Sequence, residues 1–413
     1  MKATSYPHMY RIQQDLPNCP LPDPAGELRR LLRVHPVLLS IQPGARVAIT
    51  AGSRGVSNIP LLIAAVVDEL RARGAEPFVV PAMGSHGGAT AEGQVELLRS
   101  LGVTDEAVGA PIRASMEVVE LGQTDQGVKV FCDKLAFQSD MIVAINRVKP
   151  HTGFRGDIES GIVKMLVIGL GKRHGAEAMH QSPERYGSIP AMARISLEKA
   201  PIGLGVAVIE DALHQTAKIA LATPAEFEAV DKAMLMEARR LMPQLPVDQL
   251  DVLIIDETGK DISGAGMDPN VIGMGRAIGG RHTPEVTRLV VLDITEESHG
   301  NPGAIGYADV TTRRLVDKLD YGALYMNSVT AAGLGRFDGC KIPLTMPTDR
   351  EAIAIALNGY DADTVRLIRI KNTLQLGEMD VSHSLLDELR QRENVRVVGE
   401  KGPMSFDEAG TLF

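Results

Sequence analysis

The sequence has no tryptophan, and aromatic residues make up 4% of its 413 positions. That scarcity argues against the aromatic platforms on which bases or sugar rings stack. Cysteine is equally sparse: Cys19, Cys132 and Cys340 are odd in number and far apart. They form no CxxC pair and none of the spacings that hold zinc or an iron–sulfur cluster, and a reducing cytoplasm is the expected compartment. No apolar run is long enough to span a bilayer. Met1–Pro24 is polar and proline-rich, without the basic start and apolar stretch of a signal peptide. Positive charge is not concentrated either. With 43 Lys and Arg against 52 Asp and Glu, the net charge is −9, and no basic stripe marks a nucleic-acid or membrane surface.

What remains is an ordinary globular balance, 44% hydrophobic and 23% charged, in a chain too long for one core. Arg46–Thr50 reads as a strand, followed by the breaker cluster Ala51–Gly55 and a helix over Ile59–Arg73, with Asn58 as cap, Pro60 in its first turn and Gly74 closing it. Glu76–Pro81 is the next strand, then a loop and a helix from Thr90 to Leu101. This strand–helix alternation predicts an α/β fold with mainly parallel sheets. Met141–Asn146 and Gly203–Ile209 read as further strands and Pro224–Met242 as a long helix. The proline pair in Pro243–Val247 marks a hinge. Asp251–Asp256 and Leu289–Asp293 then open a second α/β unit, with a helix over Thr311–Leu319 and a strand at Arg366–Ile370. Two α/β domains are expected, 1–245 and 250–413, with the active site in the cleft between them.

In parallel α/β sheets, ligands gather at the carboxyl ends of strands, and three loops stand there. Gly52-Ser53-Arg54-Gly55 offers a guanidinium that can clamp a carboxylate, or a plain turn. Gly84-Ser85-His86-Gly87-Gly88-Ala89-Thr90 surrounds one histidine with glycines before a helix, whose dipole would disfavour the imidazolium. The densest loop runs from Asn146 to Lys164 and carries Arg147, Lys149, His151 and Arg155 beside apolar residues. Lys164 borders the apolar run Met165–Ile168, where a desolvated amine becomes a covalent attachment point. A snorkelling lysine is the competing account.

These residues resemble the nickel-dependent lactate racemase family. Gly84-Ser85-His86 is similar to its Gly-x-His loop. Pro150-His151 with Gly153-Phe154 is similar to its Pro-His…Gly-Phe segment, and Ser160-Gly161-Ile162-Val163-Lys164 to its Ser-Gly-Gly-x-Lys signature. His180 stands sixteen residues beyond Lys164, the family's spacing for a nickel-ligating histidine.

The resemblance implies a racemase or epimerase of 2-hydroxy acids working through a nickel-pincer nucleotide (a pyridinium-3-thioamide-5-thiocarboxylic acid mononucleotide). Lys164 would bond this cofactor covalently, with Ser53, Ser160 and Gly161 beside it, and His180 would ligate the nickel. The cofactor would take a hydride from C2 and return it to either face, with His86 and His151 as the two acid/bases. Arg54, Lys149 and Arg147 would hold the substrate carboxylate. From the second domain, Lys260 and Lys341 are candidates for a lysine reaching the substrate as the domains close. The cofactor-synthesis enzymes would be partners.

Departures from the pattern bear on the substrate. Ala51 stands where the family often has an acidic residue, Gly87 where an arginine commonly follows the histidine, and Ile162 in place of the signature's second glycine. The smaller residues at 51 and 87 suggest room for a larger hydroxy acid, such as a sugar acid. A carrier protein for a metal-nucleotide cofactor and a related oxidoreductase are the alternatives. A nicotinamide dehydrogenase has less support, because Gly169-Leu170-Gly171 lacks the third glycine of a dinucleotide fingerprint.

Overall fold

The computed structural model describes residues 5–53, 55–332 and 337–413. The chain divides into two compact units, Pro17–His151 with Arg155–Met242, and Met1–Leu16 with Thr152–Phe154 and Pro243–Phe413. Both are α/β with mostly parallel sheets. The first strand, β1 (His8–Gln14), pairs within the C-terminal unit, although it opens the chain. Residues 1–16, counted with the first domain from sequence alone, belong by this pairing with the second. Nothing local signals it, because the Asp380 carboxylate that receives Arg11 lies 369 residues away.

The N-terminal unit is built on a five-stranded sheet in the order β3-β2-β6-β7-β8. The strands are β2 (Arg46–Ala51), β3 (Glu76–Pro81), β6 (Met141–Arg147), β7 (Ile202–Glu210) and β8 (Thr216–Ala222). All pairs but the last are parallel. A separate hairpin, β4 (Val118–Gln123) with β5 (Lys129–Asp133), stands apart and had no signal in the sequence pattern. The helices Ile59–Arg71 and Ala91–Ser100 form as expected, the second capped by the Thr90 hydroxyl on Gly93 N–H. Asn58 does not act as a side-chain cap; it turns the chain in the left-handed region, at φ 62°.

The near-continuous apolar runs of β2, β6 and β7 follow from burial on both sheet faces. Alternate residues serve opposite cores. Val47, Ile49 and Ala51 of β2, with Val143, Ile145, Val206 and Val208, pack under the helix Ile59–Arg71. Ala48, Ala144 and Ala207 face the other way, toward Ile162, Val163, Met165 and Leu166. Small side chains on that face let the Lys164 segment lie close to the sheet. A Cβ at Gly205 would stand 2.7 Å from the Ile162 side chain.

The C-terminal unit has one eight-stranded sheet, β12-β11-β10-β9-β13-β14-β1-β15. Its parallel part is β9 (Gln249–Thr258), β10 (Glu285–Ile294), β11 (Val310–Thr312), β12 (Leu344–Met346) and β13 (Leu367–Ile370). β14 (Glu378–Ser382), β1 and β15 (Val395–Pro403) continue it antiparallel. The expected helix over Thr311–Leu319 is shorter, Arg313–Asp317, because Thr311 and Thr312 complete β11. Their hydroxyls bond the carbonyls of Val291 and Leu292 in β10. Among the described residues no helix is long and apolar enough to cross a membrane.

Candidate active site

Lys164 lies where the backbone changes its hydrogen-bonding step. Ile162–Lys164 make one α-turn, Met165–Gly169 continue as a π-turn, and a helix follows over Lys172–Gln181. The wider turn is visible in the bond from Leu170 N–H to the Met165 carbonyl, 2.9 Å. Such turns inside helical runs recur at functional sites. The N-terminus of this run is capped from a distance: the Asp231 carboxylate, on the helix Phe227–Leu241, accepts from Ile162 N–H (3.0 Å) and Val163 N–H (2.8 Å). A Cβ at Gly161 would stand 2.4 Å from that carboxylate. The glycine of the lysine signature is thus required by packing; its φ of 179° suits any residue. Burial raises the Asp231 pKa from its ordinary 3.8 to about 7, against the pull of the two N–H groups. The Asn146 amide donates to the Gly161 carbonyl at 2.7 Å, tying the end of β6 to the same turn.

Three of the residues singled out in the sequence surround one ring, Tyr186. The His151 and His180 rings lie 4.9 Å and 5.7 Å from it, centroid to centroid, and the Lys164 ammonium is 6.0 Å from its centre. Burial raises the pKa of the Tyr186 phenol, which Arg185 opposes. His180 sits in the last turn of its helix. Burial, then the positive charges of Arg185 and Lys164, push its pKa down from 6.5 to about 4. Its Nδ1 is buried and has no hydrogen-bond partner among the described residues. An imidazole held neutral with an orphaned nitrogen is the state a metal ligand needs. No group of three or more His, Cys, Asp or Glu suited to a metal is found among the described residues.

The loop after β3 presents His86. Its Nδ1 lies 3.0 Å from the Met83 carbonyl and 2.9 Å from Ser53 Oγ, in the loop after β2. A carbonyl can only accept, so Nδ1 carries the proton in the neutral ring and Nε2 is the basic nitrogen. Ser53, expected at the cofactor, meets this histidine. The helix dipole expected to act on His86 begins further on, because the short turn Gly87–Ala89 separates it from Ala91–Ser100. This loop packs on the π-turn: a Cβ at Gly84 would stand 3.2 Å from the Ile168 side chain.

The loop after β6 is closed at its base by paired bonds between Lys149 and Ser160, 2.9 and 3.3 Å. Its organiser is buried Glu159, whose carboxylate accepts from the backbone N–H groups of His151 and Gly156 and from the Arg239 guanidinium at 2.6 Å. Arg147 is ion-paired with Glu210, which also accepts Ser57 N–H at 2.7 Å. Its guanidinium therefore ties the end of β6 to the end of β7. Lys149 is half-buried at the mouth of the loop.

Other expectations land elsewhere. Arg54 lies outside the described residues. In the C-terminal unit, Lys260 turns back onto the Gly264 carbonyl at 2.7 Å, and Lys341 makes an exposed pair with Asp338 at 2.7 Å. The room inferred from Ala51 and Gly87 has no structural basis. Ala51 is buried in the core on the sheet face opposite the Lys164 turn. Gly87 is required by its φ of +64° and by the Gly93–Gln94 backbone, which a Cβ would meet at 2.6 Å. Sequence reasoning also missed Tyr186, Glu159 and Asp231, which no motif marks.

Residues 30–185 match the family model described as lactate racemase N-terminal domain. Among solved structures, the lactate racemase apoprotein from Thermoanaerobacterium thermosaccharolyticum is similar, at 15% identity and a TM-score of 0.46. That match covers 65% of this chain and 66% of the other, just under two thirds of the latter's length. No curated protein matches the chain.

Proposed function

We propose that the protein is a racemase or epimerase of 2-hydroxy acids that works with a nickel-pincer nucleotide. The observation that carries this reading is the convergence of Lys164, His151 and His180 on Tyr186, with His180 neutral and its Nδ1 orphaned. Lys164 would tether the cofactor and His180 would ligate its nickel. Bound there, the cofactor supplies a hydride acceptor for C2, which no side chain can be.

The chain's own residues supply the rest. A substrate hydroxyl must give up its proton as C2 is oxidised, and the two enantiomers present that hydroxyl to opposite sides. His86 takes the proton at Nε2, its ring fixed by the Met83 carbonyl and Ser53. His151 does the same for the other enantiomer, held by Glu159 through its backbone and by Tyr186 through its ring. The Lys149 ammonium, with Arg54, binds the carboxylate.

The test is intact mass and metal analysis of protein made together with the cofactor-synthesis enzymes. A mass gain localised to Lys164, with about one nickel per chain and interconversion of a 2-hydroxy acid among lactate, malate and aldonates, is expected. Nickel-free protein without a modified Lys164 under those conditions would overturn the reading.

A further inference from the structure

The Lys172 side chain is fully buried, and its ammonium stands 3.0 Å from the equally buried Asp133 carboxylate. Its backbone adopts φ 53°, in the left-handed region that non-glycine residues seldom enter. A buried ion pair is weak evidence for stability, since well-packed apolar residues of the same volume usually serve a core as well or better. Burial lowers the Lys172 pKa and Asp133 opposes that shift.

The remaining contacts lead to the catalytic loop. The ammonium donates to two acceptors, the Pro81 carbonyl at the end of β3 and Gln94 Oε1 at 3.2 Å, beside its ion pair with Asp133. Gln94 is itself fully buried, and its amide nitrogen donates to the carbonyls of Gly84 (2.9 Å) and His86 (3.3 Å). Both hydrogens of that amide and its oxygen are thus used, and its orientation is set by the lysine. Lys172 is also the first residue of the helix that carries His180 in its last turn. Asp133 is bound to the same region through its backbone N–H, which donates to the Leu170 carbonyl at 2.6 Å.

We infer that Lys172 and Gln94 are positioning residues for His86. The buried ammonium orients the Gln94 amide, and the amide pins the backbone on both sides of Ser85. This fixes the direction of the His86 ring relative to the helix of His180. The inference rests on the proposed role of His86 in proton transfer, while the geometry it describes exists without substrate or cofactor.

The experiment compares the parent with Gln94→Met, Lys172→Met and the charge-free pair Lys172→Met/Asp133→Leu. Three quantities are read: thermal stability, amide hydrogen exchange over residues 84–90 in the apoprotein, and kcat against KM in the loaded enzyme. Lys172→Met leaves Asp133 unpaired and is expected to lower the melting temperature, and the double variant to regain most of it. In Gln94→Met and the double variant, exchange over 84–90 should rise at least about tenfold. Their kcat should fall about 10- to 100-fold with KM little changed, as for a misaligned base. The mass adduct on Lys164 should persist. Parent-like exchange over 84–90 in Gln94→Met and the double variant would overturn the inference and leave the ion pair a matter of stability alone. Faster exchange in a protein that interconverts no hydroxy acid would uphold the positioning and overturn the reaction instead.

Discussion

The side chains singled out in the sequence meet different surroundings in the two units. In the N-terminal unit, residues from separate segments meet: Ser53 with His86, and Lys164, His151 and His180 around Tyr186. In the C-terminal unit, Lys260 donates to the Gly264 carbonyl and Lys341 pairs with Asp338, contacts within four residues of each lysine. Both units present loops at the ends of parallel strands, so the fold alone does not choose the site. What distinguishes the first is convergence from afar, with carboxylates such as Asp231 and Glu159 holding the backbone in place.

Substitutions can break or sharpen this contrast. Lys164→Ala is expected to have the largest effect, with loss of the mass adduct and a fall in turnover of about four orders of magnitude or more. Lys164→Arg should behave alike, because a guanidinium keeps the charge but cannot form the bond. His86→Ala and His151→Ala should each lower turnover about 10²- to 10⁴-fold, with nickel content unchanged. Full turnover in either variant would favour a cofactor carrier or another mechanism. Asp231→Ala removes the cap on the Lys164 turn and should lower stability by about 1–2 kcal/mol, measured by urea unfolding. The smallest effect is expected from Lys341→Ala, about 0–1 kcal/mol, with turnover within about twofold of the parent. A tenfold loss there would place the C-terminal lysine in the reaction and dissolve the contrast.

Asp231 also sets a pH dependence whose sign follows from its raised pKa. Unfolded, the carboxyl loses its proton near 3.8; folded, near 7. Between these values the folded chain binds more protons, so stability falls as the pH rises through this window. The contribution is full below about 3.8 and is lost by about 7. The stability gap between parent and Asp231→Ala should therefore be wider at pH 5 than at pH 8. A gap equal at pH 5 and pH 8 would show that the carboxyl is ionised in the folded chain throughout this range.

The sequence made some of this legible and hid the rest for physical reasons. The central strands were readable because burial on both faces demands continuous apolar runs, as in Met141–Asn146. The candidate residues His86, His151, Lys164 and His180 could be singled out because each lies in a short local pattern or spacing. Tyr186 was not, since nothing adjacent tells a core tyrosine from one that three site residues surround. Asp231 lies 69 residues from the N–H of Ile162 that it accepts, and only the fold joins them. Arg147 shows the converse failure: a cation in a ligand loop looks the same whether its partner is a substrate or, as here, Glu210. β1 was placed with the wrong unit for the same reason, because strand pairing across the length of a chain leaves no mark on the strand itself.

The π-turn after Lys164 has a rotational consequence. On an unbroken α-helix each residue advances by about 100°, so two residues sixteen apart would point about 160° away from each other. Lys164 and His180 are separated by that number, yet both approach the Tyr186 ring. The wider winding of Met165–Gly169 and the left-handed step at Lys172 together supply the missing rotation. The spacing between lysine and histidine therefore has meaning only together with this irregularity.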